Sequence, residues 1–150
     1  LAFTGCTVDK GEIRGAYCPG DYDLSIAGRK FCGIAQRRQL HAYAVQAFVV
    51  AAGRGADRTR LVRAFYERAA LGADPSAYPQ VTDDSTASLE ELAGLGPYAA
   101  HTFADAVKRT IGRLQSAAGT PLSASDAELP SPVEVRAAAA SLRARYPLRA

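Results

Sequence analysis

The stretch Asp21-Tyr22-Asp23-Leu24-Ser25-Ile26, continuing through Ala27-Gly28-Arg29 into Lys30-Phe31-Cys32-Gly33-Ile34-Ala35-Gln36-Arg37-Arg38, decides the architecture. Residues 22–26 alternate polar and apolar, the period-two pattern of a half-buried strand. Ala27-Gly28-Arg29 reads as a tight turn, with Gly28 free to take positive φ. Residues 30–36 then run back, so the segment predicts an antiparallel hairpin. Phe31 and Ile34 break strict alternation, and a bulge at Gly33 would absorb the slip. His41 to Val50, dense in Val, Tyr and Phe, predicts a third strand.

After Gly53-Arg54-Gly55 the pattern changes from strand to helix. Leu61, Val62, Phe65, Tyr66 and Ala69 recur at helical spacing within Asp57 to Leu71, and Gly72 is placed to stop that helix. Residues 73–87 form a Pro/Asp/Ser-rich loop, of a length that is often functional or mobile. Ser88-Leu89-Glu90-Glu91 is a capping box opening a short helix, which Gly94 and Gly96-Pro97 break. A longer helix is expected over 98–117, with Phe103, Val107, Ile111 and Leu114 on one stripe. A second loop covers 118–130. Ser131-Pro132-Val133-Glu134 combines an N-cap, a proline at the first helical position and a glutamate that completes a capping box, and starts a last helix, on which Arg136, Arg143 and Arg145 make a solvated face. Strands come first and helices after, an α+β order with antiparallel pairing. No internal repeat is visible.

The totals narrow the function classes. At 150 residues the chain suits one domain, and 48% apolar with 22% charged residues is ordinary globular usage. A formal net charge of +3 is mildly basic. It suits a soluble surface or steering towards an acidic protein partner. No basic stripe studded with aromatics points to nucleic acid. No apolar run reaches membrane-spanning length, and no signal peptide is evident. Cys6, Cys18 and Cys32 are odd in number and widely spaced, so they predict reduced thiols, hence a cytoplasmic setting, and not a disulfide framework. Neither Cys-x-x-Cys nor paired His spacing occurs, so no metal site is expected. The chain starts at Leu1 in mid-pattern and contains no Met, which leads us to expect preceding sequence.

The stretch Tyr17-Cys18-Pro19-Gly20 holds the candidate chemistry. Cys18 precedes Pro-Gly, a turn dipeptide that can present a thiol to solvent. Lys30 stands twelve residues on, across the predicted bend. An ammonium near a thiol favours the thiolate, which is the nucleophile towards thioesters and activated carbonyls. An amine held near an acyl carbonyl can also polarise the developing oxyanion. Against this stand plain readings: Cys as a small buried hydrophobe, and Lys as a charge guarding a strand edge.

The hairpin, with Asp23, Gly28, Lys30, Gly33, Ala35 and Gln36 in place and Arg37-Arg38 behind them, resembles the lysine motif of the biotinyl/lipoyl protein ligase catalytic domain family. Tyr17-Cys18-Pro19-Gly20 is similar to the branch of that family that moves octanoyl groups from the glycine-cleavage H protein to lipoyl domains. The resemblance implies an antiparallel or mixed sheet of the ligase type, lacking its N-terminal part and followed by helices. It covers residues 12–50 strongly and 51–120 loosely, and the family's Arg-Arg-x-x-Gly-Gly-type acyl-binding segment is not found. Residues 1–120 then form the C-terminal part of the catalytic domain, and 121–150 a helical extension of it. The resemblance further implies transfer of an octanoyl or lipoyl group through a cysteine thioester onto lysines of lipoyl domains, with Cys18 as acyl carrier, Lys30 as the group that lowers its pKa, and Tyr17, Gly33, Gln36 and Arg37 as substrate-binding residues. No cofactor is implied, and the partners are lipoyl-domain or glycine-cleavage H carrier proteins. Two alternatives stay open: an ATP- and Mg²⁺-using lipoate–protein ligase in which Cys18 is incidental, and a non-catalytic remnant that binds acyl carriers.

Other residues are weighed lower. Cys32 is expected to pack within the hairpin and Cys6 to be structural. His41 and His101 suit a strand edge and a helix start better than a Cys-His dyad. Arg37 and Arg38 suit a carrier or phosphate contact and a solvated strand end equally. Asp83-Asp84 reads as a loop turn, and Gly53-Arg54-Gly55 lacks the Lys-Ser/Thr of a phosphate loop.

Overall fold

A computed structural model of the chain describes residues 4–119 and 130–147. Two compact units are present, Leu1–Arg109 and Thr110–Ala150. The first holds a four-stranded antiparallel sheet in the order β1 (Asp9–Lys10), β2 (Leu24–Ile26), β3 (Arg29–Arg38), β4 (Tyr43–Val49). The helices α1 (Gly55–Ala69), α2 (Leu89–Ala93), α3 (Ala99–Ala117) and α4 (Pro132–Arg145) follow. The expected α+β order is therefore present, and so is the hairpin around Gly28, which takes φ of 74°.

The bulge falls elsewhere than expected. Leu24 pairs with Cys32 but Ser25 pairs with Lys30, so Phe31 is the extra residue, and Gly33 sits in regular register opposite Phe48. The slip puts both Phe31 and Cys32 into the core with Ile26 and Leu89. A large aromatic ring gains more from burial than a glycine does, which explains where the irregularity settled. The shift also brings Lys30 and Gly33, three residues apart, beneath the same aromatic ring, that of Phe48.

The 73–87 segment also corrects an expectation. Its last part is core rather than mobile loop: Val81, Ser85, Thr86 and Ala87 are buried. Thr86 runs parallel beside Lys30, with Lys30 N–H donating to Ser85 O and Ala87 N–H to Lys30 O, both at 2.9 Å. Small residues let this backbone lie close to β3 and satisfy its polar groups there. Gly55 is what permits α1 to pack on it, because a β-carbon at that position would stand 2.0 Å from Thr86 O.

Helix α1 starts two residues earlier than its periodicity suggested, because the Gly55 N–H is taken up by the Glu91 carboxylate. Gly55 and Thr59 are buried, whereas Leu61 and Phe65 face outward, so the apolar spacing read there as one stripe is split. On α3, Phe103 packs on the core, while Val107, Ile111 and Leu114 of its stripe are exposed. The capping boxes at Ser88 and Ser131 form as expected, Gly94 closes α2 with φ of 62°, and Arg136, Arg143 and Arg145 are exposed on α4. Of the loop expected over 118–130, residues 120–129 lie outside the described residues.

Candidate active site

The turn Tyr17-Cys18-Pro19-Gly20 lies over the β2–β3 hairpin. Cys18 is exposed and adopts φ of 49°, the left-handed region that non-glycine residues avoid. Beneath the turn, Lys30 is anchored through its main chain to β2 and to the Ser85–Ala87 segment. Its Nζ makes a 2.7 Å ion pair with Asp23 Oδ2, and both side chains are almost fully buried. The same Nζ donates to Tyr17 O at 3.0 Å and to Cys18 O at 2.7 Å. Three donors of an ammonium thus meet three oxygens. Asp23 Oδ2 also accepts from Gly20 N–H at 3.2 Å. The ammonium thus reaches Cys18 through the cysteine's main-chain oxygen, where the sequence-based expectation had it beside the thiol.

Cys18 borders a largely apolar cleft of about 480 Å³, whose walls include Pro19, Gly33, Ala35, Ala47 and Phe48. That volume lies within the ordinary range for small-molecule sites. Phe48 shapes it. Its ring lies over Gly33, where a β-carbon would come within 2.4 Å of the ring. It stacks on Tyr17 with centroids 6.3 Å apart, and Lys30 Nζ lies 5.4 Å from its centroid. Burial, offset in part by Arg58, raises the pKa of Tyr17, so its hydroxyl stays neutral at physiological pH. The apolar cleft can hold a hydrocarbon chain while the exposed thiol beside it reacts with the carbonyl at the chain's end. Each buried methylene adds about 0.8 kcal/mol.

Not every expected residue joins this cleft. Gln36 belongs to a second cleft of about 630 Å³ at the far end of the β3–β4 hairpin, with Arg38, Leu40, His41 and Tyr43. Arg37 is exposed in β3 opposite Ala44. Cys32 is buried, and burial raises its thiol pKa, as suits a packing residue. Cys6 Sγ lies 3.6 Å from Leu92 O against the core. His101 is exposed on α3. Asp83 pairs with Arg63 at 2.6 Å, and no metal-ligating group of three side chains occurs among the described residues. The Gly53 and Gly55 N–H groups donate to Glu90 and Glu91, so they are not turned towards a phosphate.

Two site residues escaped the sequence-level reading. Asp23 was visible as part of the hairpin motif, but no spacing rule ties a carboxylate just before one strand to a lysine seven residues later on the next. Phe48 looked like one strand aromatic among several. The signal that would have singled it out is its cross-strand pairing with a glycine, and that needs the register.

Residues 2–53 match the Biotin/lipoate A/B protein ligase family. The octanoyl-[GcvH]:protein N-octanoyltransferase of Geobacillus kaustophilus (strain HTA426) is 50% identical over 95 residues, covering 63% of this chain and 34% of that protein. The protein of the same name from Exiguobacterium sibiricum is 50% identical over 86 residues, covering 57% of the chain and 32% of the relative. That from Oceanobacillus iheyensis is 42% identical over 105 residues, covering 69% and 36%. The chain thus spans about a third of the length of the curated relatives it matches. Among the described residues no helix is long and apolar enough to cross a membrane.

Proposed function

We propose that this chain, whose residues 2–53 carry a segment of the biotin/lipoate A/B protein ligase family, serves an octanoyl transferase that works through a thioester on Cys18. The observation that supports it most directly is the exposed Cys18 at the mouth of an apolar cleft, over a buried ammonium that holds its main chain. The names of the relatives describe the same class of transfer.

The reaction has two balanced steps. The Cys18 thiolate attacks the carbonyl of an octanoylated carrier lysine; the C–S bond forms, the C–N bond breaks, and the leaving amine takes up a proton. The neutral lysine amine of an acceptor lipoyl domain then attacks the thioester; a C–N bond forms, the C–S bond breaks, and the amine's proton leaves as the thiolate is regenerated. One amide replaces another, so the overall exchange is nearly balanced and calls for no ATP or other cofactor. Tyr17, Gly33 and Phe48 shape the acyl site, and Arg37 and Gln36 meet the carrier protein. Partners are glycine-cleavage H or lipoyl-domain carriers. A thiol nucleophile works in a reducing compartment such as the cytosol. Residues 1–120 serve as the C-terminal part of the catalytic domain, with 121–150 as its extension, of which 130–147 are described and carry α4.

Intact-mass analysis of the chain mixed with an octanoylated carrier tests this. An octanoyl adduct is expected on Cys18; Cys18→Ala should abolish it and Cys32→Ala should leave it unchanged. Transfer that requires ATP and Mg²⁺ and survives Cys18→Ala would select an acyl-adenylate ligase instead. Carrier binding without any adduct or turnover would indicate a non-catalytic role.

A further inference from the structure

We propose that Asp23 is a positioning residue for Cys18: with Lys30 it forms a buried clamp that grips the 17–20 turn at three main-chain atoms and aims the thiol at the cleft. This deepens the octanoyl-transfer reading and rests on it. The three gripped atoms are Tyr17 O and Cys18 O, held by Lys30, and Gly20 N, held by Asp23. They bracket the cysteine on both sides.

A clamp accounts for two features of the turn. First, φ of 49° at Cys18 is disfavoured for a residue with a side chain and persists only where the surroundings over-determine it. The three hydrogen bonds supply that constraint. Second, Asp23 lies 2.7 Å from the ammonium, so the pair is close to neutral and acts at a distance as a short dipole. Its leverage on Cys18 is then geometric more than electrostatic. Burying such a pair seldom adds net stability over an apolar pair of equal size, so what it supplies here is a defined conformation.

The test compares two reactions of the same thiol across pH. Octanoylation of Cys18 by an octanoyl thioester needs alignment with the cleft, whereas alkylation by iodoacetamide needs only an exposed thiolate. Asp23→Asn is expected to slow octanoylation about a hundredfold, including at high pH where the thiol is fully ionised. Alkylation at that plateau should stay within about threefold, since small reagents need no alignment. An octanoylation loss that vanishes at the plateau, or no loss, overturns the clamp.

Because Asp23→Asn leaves a lone buried charge, Asp23→Asn combined with Lys30→Met is made alongside, and the same pattern is expected of it. In the unaltered chain, the Gly20 amide should exchange with deuterium at least about tenfold slower than in an unfolded peptide. Free exchange at Gly20 overturns the clamp even if neither variant folds. If the unaltered chain takes no octanoyl on Cys18 from any donor, the functional reading fails by itself, and Gly20 exchange alone decides the clamp.

Discussion

Gly33 shows how one missing side chain organises a site. It lies in regular strand register, so its role is space for the Phe48 ring rather than freedom of φ. Cross-strand aromatic–glycine pairing of this kind covers a gap in the sheet. Gly33→Ala should push the ring off its seat, break its stacking on Tyr17, and cost about 1–3 kcal/mol in denaturant unfolding. The two residues share one contact, so their changes should not add. Phe48→Ala in the same chain should make Gly33→Ala nearly neutral, and full additivity would show that the ring is not what the glycine accommodates. The glycine itself was recognisable as part of the hairpin motif. Its purpose was not, because it depends on which residue of β4 stands opposite.

Glu91 joins two helices. It closes the capping box of α2 by accepting from Ser88 N–H and Oγ, and it also accepts from Gly55 N–H at the start of α1 at 2.8 Å. Burial pushes its pKa up, but the hydrogen bonds from Ser88 and Gly55, with Arg29 nearby, outweigh this and hold it below the ordinary carboxyl range. A carboxyl depressed in the folded state contributes stability above its unfolded pKa and loses it as pH falls through the folded value. The unaltered chain should therefore lose this contribution from about pH 4.3 downward. Glu91→Gln should cost about 1 kcal/mol near neutral pH and flatten that part of the acid limb. Parallel urea titrations at several pH values measure both effects, and an unchanged acid limb would sink the assignment. The box was legible as Ser88-Leu89-Glu90-Glu91, since it obeys a local rule. The second partner was not, because Gly55 lies 36 residues away and meets Glu91 only through the tertiary fold.

Burial is uneven across the first unit. The inner end of the sheet, where β2, the start of β3 and residues 85–89 meet, holds the core of Ile26, Phe31, Cys32 and Leu89. The outer halves of β3 and β4 are exposed on both faces. Local opening free energies follow burial and hydrogen bonding. The amides of Lys30, Val50, Ala87 and Leu89, which donate to Ser85, Phe31, Lys30 and Val50 carbonyls, should be the last of the sheet region to exchange. Those of Arg37, Arg38, Tyr43 and Ala44 should exchange earlier. Hydrogen-exchange mass spectrometry with peptide resolution reads this order, and its reversal would contradict the core placed here.

The element order, the Gly28 turn, both capping boxes and the turn carrying Cys18 were legible from residue order alone. All of these arise from alternation, helical spacing and side chain–backbone bonds within a few residues. The bulge at Phe31, the insertion of Ser85–Ala87 beside β3, and the meeting of Asp23, Lys30, Phe48 and the Cys18 main chain emerged in three dimensions alone. The reason is that competition for the core and for backbone partners is settled between segments distant in sequence, and a local pattern records neither neighbour nor register.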